Sequence, residues 1–326
     1  MKKILVTGGA GYVGAVLVRE LLHDGYEVTV LDLMIYGEKT LPKNEGLSVV
    51  KGDIRNTQLL EQVIPGHDSV IHLACISNDP SFELNPKLGQ SINLDAFEPL
   101  VRISRDNGVQ RFIYASSSSV YGVKEEQDVH EDMLLEPLTD YSRFKADCEQ
   151  ILSKFQSDNF TTVTIRPATV CGYSPRQRLD VVVNILSNLA YHKRKITIFG
   201  GSQMRPNIHI KDMVKAYQIL LTAPASKIAG NTFNAGYENH SVDQLGQMVL
   251  EVMGPDVEMV RTPTDDNRSY HVSSSKIKAE LGFEPDCTIS DAVSDLKAAF
   301  SKGLLHDPLN NEMFFNIKRM QSIELE

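Results

Sequence analysis

A chain of 326 residues with 42% hydrophobic and 23% charged positions is long enough for one large α/β unit carrying a smaller lobe, and its composition excludes a disordered or fibrous protein. The formal net charge of −9 spreads no basic field, which excludes nucleic acid and acidic membrane as main partners and requires any anionic ligand to be held by local groups. The four cysteines, Cys75, Cys148, Cys171 and Cys287, form no C-x-x-C pair, so no metal site or disulfide framework is expected and reduced, cytoplasmic thiols fit best.

The first apolar run, Ile4-Leu5-Val6, stops at Thr7-Gly8-Gly9 and reads as a buried strand rather than a signal peptide. No stretch of about 18 apolar residues follows that could span a bilayer. Strands are predicted over residues 3–7, 27–31, 69–74, 111–116 and 161–166, with amphipathic helical patterns between them. Their apolar runs are continuous rather than alternating, so the sheet is parallel with helices on both faces, a doubly wound arrangement. Beyond Cys171 the rhythm loosens into a helix over 179–191, a strand over 196–199, and helices over 212–221, 242–252 and 289–300. The division expected is 1–170 for the doubly wound domain, with some later segments returning to it, and 171–326 for a smaller α/β lobe. The tail after Leu304 reads as an extended or helical wrap.

Between the first strand and its helix lies Gly8-Gly9-Ala10-Gly11-Tyr12-Val13-Gly14. Glycines there permit a tight turn and close backbone approach, and the helix N-terminus offers unpaired N–H groups and a favourable dipole to a pyrophosphate. This is the Rossmann fingerprint in its proper context, with Gly8, Gly11, Tyr12, Val13 and Gly14 as the loop residues; the alternative is a glycine turn with no ligand. Asp32 ends the second strand 18 residues past Gly14, where a carboxylate accepts from both hydroxyls of an adenosine ribose and repels a 2′-phosphate. Only Lys39 follows nearby, so NAD is favoured over NADP. Asp53-Ile54 either closes over the adenine or caps the next helix.

Tyr-x-x-x-Lys occurs twice, as Tyr141/Lys145 and Tyr191/Lys195. On a helix, residues four apart share a face, so Lys145 is expected to favour the Tyr141 phenolate and make it a usable base. Tyr191/Lys195 sits in a basic segment leading into a strand and reads as a solvated helix end.

These residues resemble the extended short-chain dehydrogenase/reductases of the NAD-dependent sugar-nucleotide epimerase/dehydratase family, from Lys3 to about residue 300. The resemblance rests on Thr7–Gly14, His72-Leu73-Ala74, Asn93, the Tyr114–Gly122 run Tyr-Ala-Ser-Ser-Ser-Ser-Val-Tyr-Gly, Tyr141-Ser-Arg-Phe-Lys145 and Arg166-Pro167. It implies a Ser117/Tyr141/Lys145 triad in which Ser117 bonds the reacting hydroxyl and Lys145 holds the nicotinamide ribose. It implies further cofactor contacts from Leu73, Ala74, Ser116 and Pro167, with Asn93 supporting the strand and helix that place the site. It also implies a homodimer through helices near 95–107 and 141–155. A bare serine-rich strand exit is the alternative for Ser116–Ser119.

Relatives that dehydrate across C5 and C6 carry Asp-Glu where this chain has Ser118-Ser119, and a hydroxyl cannot perform those proton transfers. What remains is oxidation of one sugar hydroxyl, either reversed on the other face or ended as the ketone; a 4-keto sugar reductase and a noncatalytic NAD-binding scaffold are the alternatives. Ser118 is expected to meet the sugar. Arg176, Arg178, Arg205 and Arg268 offer forked donors for its diphosphate. Arg205 matches the family arginine in Arg-x-x-Ile-His-Ile-x-Asp. The 174–180 segment and the helix bearing Asn184 resemble the branch acting on GDP-heptoses and related surface-polysaccharide sugars, which favours a GDP-linked substrate and makes Asn184 a candidate substrate contact.

Overall fold

The computed structural model describes residues 2–264 and 269–323. In chain order the strands are β1 (Lys3–Thr7), β2 (Glu27–Asp32), β3 (Leu47–Lys51), β4 (Ser69–His72), β5 (Arg111–Ala115), β6 (Thr161–Pro167), β7 (Thr169–Cys171), β8 (Lys195–Phe199), β9 (Met204–His209), β10 (Asn231–Ala235), β11 (Glu238–Ser241) and β12 (Glu258–Thr262). Seven of them form one sheet in the order β10-β6-β5-β4-β1-β2-β3, every pairing parallel.

The apolar run of β1 explains why the sheet is covered twice. Ile4 and Val6 face one layer with Leu17, Leu21, Met213 and Leu220, whereas Leu5 faces the other with Leu60, Phe97, Leu100 and Phe112. All three β1 residues are at most 1% exposed. Each contributes about 1.5–3 kcal/mol of burial, which fixes the sheet between its helices. The Gly14–His23 and Ile210–Thr222 helices belong to the first layer, and the Thr57–Val63, Phe97–Asp106 and Asp140–Ser153 helices to the second.

Strand order reverses between β1 and β4. Loops leaving those two strands diverge there, and the crevice at their carboxyl ends is where such sheets take ligands.

The second lobe holds the β11-β9-β7 sheet and the β8–β12 parallel pair, packed with the Val182–Lys193, Val242–Met253 and Ile289–Ser301 helices around a separate core that includes Val183, Leu186, Ile198 and Leu245. The predicted strand ranges leave out β3, β7 and β9–β12, and with them the return of β10 to the edge of the large sheet. β9 and β11 are short and polar (Met-Arg-Pro-Asn-Ile-His and Glu-Asn-His-Ser), so period-two hydrophobicity does not mark them. The first residues expected to be helical, 179–181, lie before the Val182–Lys193 helix, whose N-cap Val181 is extended at ψ 151°, while the Leu179 amide bonds the Phe314 carbonyl at 2.8 Å. After Leu304 the chain turns back to the cleft, where the Asn316–Ser322 helix docks. No helix among the described residues is long and apolar enough to cross a membrane.

Candidate active site

The cleft at the switch point has a volume of about 390 Å³ and draws on both lobes. Its floor begins with the glycine loop. Gly8 has φ +75°, and a Cβ there would lie 2.6 Å from the Ala74 amide nitrogen; a Cβ on Gly14 would lie 2.5 Å from the Gly8 carbonyl. Backbone is therefore packed on backbone, and the loop closes only with glycine. Gly8, Gly11, Tyr12, Val13 and Gly14 all line the cleft, as do Leu73 and Ala74 after β4, Ile54 after β3 and Pro167 at the end of β6.

Asp32 stands beside the loop with its carboxylate oriented by two backbone donors: Ala10 N–H to Oδ2 at 3.0 Å and Met34 N–H to Oδ1 at 2.8 Å. Burial pushes this carboxyl up from its ordinary value, while those amides and the charge of Arg176 pull it back.

The catalytic candidates converge on the cleft from different elements. Thr139 and Ser142 form a reciprocal cap at the start of the Asp140–Ser153 helix, which fixes Tyr141 in its first turn and Lys145 one turn on, along the same face. Lys145 is buried, and its Nζ donates to the Ala115 carbonyl at 2.6 Å and lies 5.9 Å from the Tyr141 ring centroid. Ser117 caps the short turn after β5, its Oγ accepting from the Ser119 amide at 3.1 Å.

The expected lowering of the Tyr141 pKa by Lys145 needs correction. Burial raises the phenol well above its ordinary value, with Cys75 and Asp79 adding to the rise, while Arg178 and the Ser117 hydroxyl pull it down. Lys145 is turned to Ala115, so the phenolate needs a further positive charge before the tyrosine acts as a base near neutral pH.

Behind the serines lies a buried polar network. Ser116 Oγ donates to Glu149, and Glu149 accepts from Arg166 Nε at 3.0 Å and Nη2 at 2.6 Å. Arg166 also donates to Tyr121 Oη at 2.8 Å, and Tyr121 to Asn234 Oδ1 at 2.7 Å. The strand exit is thus braced from behind, and Ser116 belongs to the brace although it also lines the cleft.

Several other sequence expectations are relocated. The Asp53 carboxylate is turned to Arg55, accepting from its backbone N at 2.8 Å and from its guanidinium, while Asn56 caps the next helix. Asn93 does not line the cleft; it bonds both backbone groups of Ile76 at 2.8 and 2.9 Å and so shapes the loop after β4. Asn184 is fully buried and spends its amide on Gly172, Tyr12 and Arg178 backbone or hydroxyl groups, so it holds the lobes together rather than meeting a sugar. Arg205, half-buried in β9, lies outside the cleft lining and donates to the Met204 carbonyl at 3.1 Å. Arg268 lies outside the described residues. Ser118 lines the cleft with its hydroxyl 3.4 Å from that of Tyr270. In the second Tyr-x-x-x-Lys pair, Tyr191 ends at Ser301 and Lys195 at Glu258, away from the cleft.

Arg176 and Arg178 do line it, on the glycine-loop side. Arg176 packs on the Tyr36 ring at 3.4 Å and donates to Asn316 Oδ1 at 2.6 Å; Arg178 pairs with Asp180 at 2.6 Å and reaches Ser77 at 3.3 Å. Tyr36, Ser77, Asp79, Tyr270, Asn316 and Met320 are lining residues that sequence reasoning missed. Each sits outside a motif, and only the fold brings it to the site. The residues fit a dinucleotide: a glycine loop at a helix N-terminus, a fixed carboxylate beside it, and a buried Arg176 Nε with no partner among the described residues.

A Rossmann crevice with serine, tyrosine and lysine on one wall defines a dinucleotide-dependent oxidoreductase. The chain belongs to the NAD dependent epimerase/dehydratase family, whose model matches residues 4–236, and its cofactor is NAD. It is 27% identical over 306 residues to a UDP-glucose 4-epimerase of Lactobacillus helveticus, covering 87% of this chain and 92% of that one. It is 26% identical over 315 residues to a dTDP-glucose 4,6-dehydratase of Streptomyces niveus, covering 89% and 90%. The structure of a UDP-glucuronic acid 4-epimerase from Bacillus cereus in complex with UDP-glucuronic acid and NAD superposes with a TM-score of 0.82 at 26% identity, covering 92% and 99%.

Proposed function

We propose that this chain is a cytoplasmic enzyme that oxidises the C4 hydroxyl of a nucleoside-diphosphate sugar and returns the hydride to the opposite face, a 4-epimerisation. The observation that carries the reading is the meeting of Ser117, Tyr141 and Lys145 in the cleft that the glycine loop and Asp32 also line. Ser117 Oγ orients the sugar hydroxyl, Tyr141 Oη accepts its proton, and Lys145, anchored on Ala115, holds the nicotinamide ribose. NAD supplies the hydride acceptor and a positive ring, and that charge offsets the burial that raises the phenol. Hydride return needs the same tyrosine to give its proton back, so one base serves both half-reactions.

Dehydration across C5 and C6 is disfavoured, because Ser118 and Ser119 stand where it needs an acid and a base. Ser119 is bonded to Ser117 at 2.8 Å and Ser118 lies against Tyr270, so neither transfers protons as a carboxyl does. The likeness of segment 174–180 to the GDP-heptose branch supports a second reading, a 4-dehydrogenase that releases the ketone for surface-polysaccharide assembly. We further propose a homodimer through the Phe97–Asp106 and Asp140–Ser153 helices, to be read as a doubled mass in solution.

The deciding experiment incubates the enzyme with UDP-, dTDP-, CDP- and GDP-linked sugars and follows absorbance at the NADH band with product NMR. An inverted C4 centre without net NADH is expected. Stoichiometric NADH with a 4-ketone selects the dehydrogenase, and loss of water from C5 and C6 contradicts the reading.

A further inference from the structure

We propose that Arg176, held in place by Tyr36 and Asn316, is a cofactor-binding residue of the second lobe that grips the diphosphate of NAD from the side facing the glycine loop and keeps the dinucleotide on the enzyme between turnovers. The inference rests on the cofactor assignment and is independent of which sugar is oxidised.

Arg176 is 3% exposed yet lines the cleft. Its Nη2 donates to Asn316 Oδ1 at 2.6 Å and its plane packs on Tyr36, but its Nε has no partner among the described residues. The nearby carboxylate of Asp180 is already used: Oδ1 accepts from Arg178 and Oδ2 from the Asn316 amide. Arg176 and Arg178 repel each other, and burial together with that repulsion holds the Arg176 guanidinium below its ordinary value. A buried cation without its own counter-ion is costly to keep, and a ligand anion removes the cost.

Geometry identifies the anion. Ser174, two residues earlier, donates its hydroxyl to the Tyr12 carbonyl of the glycine loop at 2.7 Å, and Asp32 feels the charge of Arg176. The oriented oxygens of Asp32 already accept from Ala10 and Met34, so that carboxylate is the ribose acceptor expected from its position rather than the partner of Arg176. The arginine therefore shares the cleft with the glycine loop, against Tyr36 in the segment after β2, and there a forked donor matches phosphate oxygens.

Tyr36 and Asn316 make this grip part of the tail's work. Asn316 accepts from Tyr36 Oη at 2.9 Å and from Arg176, and donates to Ser77 Oγ at 2.9 Å, joining the segments after β2 and β4 to the second lobe. Arg319, one turn later, donates to the Ile35 carbonyl at 2.6 Å, and Met320 lines the cleft beside it. The C-terminal helix thereby sets the guanidinium and closes the cleft beside Ile35 and Tyr36.

A sugar nucleotide also carries a diphosphate, so the test uses a ligand for each source. Binding of NAD, ADP-ribose and UDP to the full-length protein is measured by calorimetry, with the NAD dissociation rate from a chase, for wild type, Arg176→Gln, Arg176→Lys and Asn316→Ala. Arg176→Gln is expected to weaken ADP-ribose and NAD at least tenfold and to speed NAD release by a similar factor, while UDP stays within twofold. Arg176→Lys keeps the charge but loses the fork, and Asn316→Ala loosens it; both are expected to weaken ADP-ribose at least threefold, and they carry the test should Arg176→Gln fail to fold. ADP-ribose within twofold of wild type in these variants overturns the proposal, as does a loss confined to UDP. Absent ADP-ribose binding in the wild type overturns the cofactor reading itself.

Discussion

The two walls of the cleft are built by different means. The floor, made of the glycine loop, Asp32, the turn after β4, Ser117 and the Tyr141/Lys145 pair, takes its residues from short windows at the ends of parallel strands and from the first turns of one helix. The roof, made of residues 172–184 and the C-terminal helix, is assembled from polar side chains that bond across 136 to 280 positions of chain, as Asn316 does with Asp180 and Tyr36. The floor's chemistry is locally encoded, whereas the roof exists only once the two lobes have packed.

The largest effect that tests this contrast is at the back of the floor. Arg166 and Glu149 have side chains only 6% and 9% exposed, so Arg166→Met strands a buried carboxylate and is expected to cost about 3–5 kcal/mol in urea unfolding. A loss below about 1 kcal/mol would mean that the brace behind Ser116 is dispensable.

The roof answers next. Asn184→Ala removes the donor to Tyr12 Oη and the acceptor of the Gly172 amide, leaving buried groups unpaired at a cost of about 2 kcal/mol. Because those bonds tie the glycine loop to the second lobe, NAD affinity should fall with stability; unchanged affinity would sever the link between roof and floor.

The smallest effect is the floor's own share of the pH dependence of stability. His72, buried on β4 with its Nδ1 2.7 Å from Thr7 Oγ1, has its pKa lowered to about 3 by burial and by the charge of Lys145. The unfolded imidazole takes up its proton near pH 6.5 while the folded one does not, so this contribution is intact above that pH and declines as pH falls toward 3. At pH 5.5 the loss relative to pH 7 should be about 1 kcal/mol. His72→Gln should flatten that slope in chemical unfolding, and an unaltered slope would rule His72 out as its source.

The same contrast explains what was legible in the sequence. Continuous apolar runs identify the parallel sheet, and the glycine spacing with Asp32 identifies one wall of the cleft, because each is a local consequence of strand and turn geometry. Arg176 is legible as a forked donor in its motif, but not as a neighbour of Tyr36 and Asn316, since nothing in its own segment encodes where the tail returns. Asn184 reads as a ligand for the same reason: its partners Tyr12 and Gly172 lie in two different segments. Tyr141 and Lys145 share a helix face as their spacing requires, yet the direction of the phenol's shift depends on burial and on Cys75 and Asp79, which helical spacing does not contain.

The most direct test measures turnover and NAD affinity together in Tyr141→Phe. Loss of the proton acceptor alone is expected to lower kcat by about 10²–10⁴, with NAD bound within twofold of wild type. Turnover equal to wild type in that variant would contradict the assignment of Tyr141 as the base.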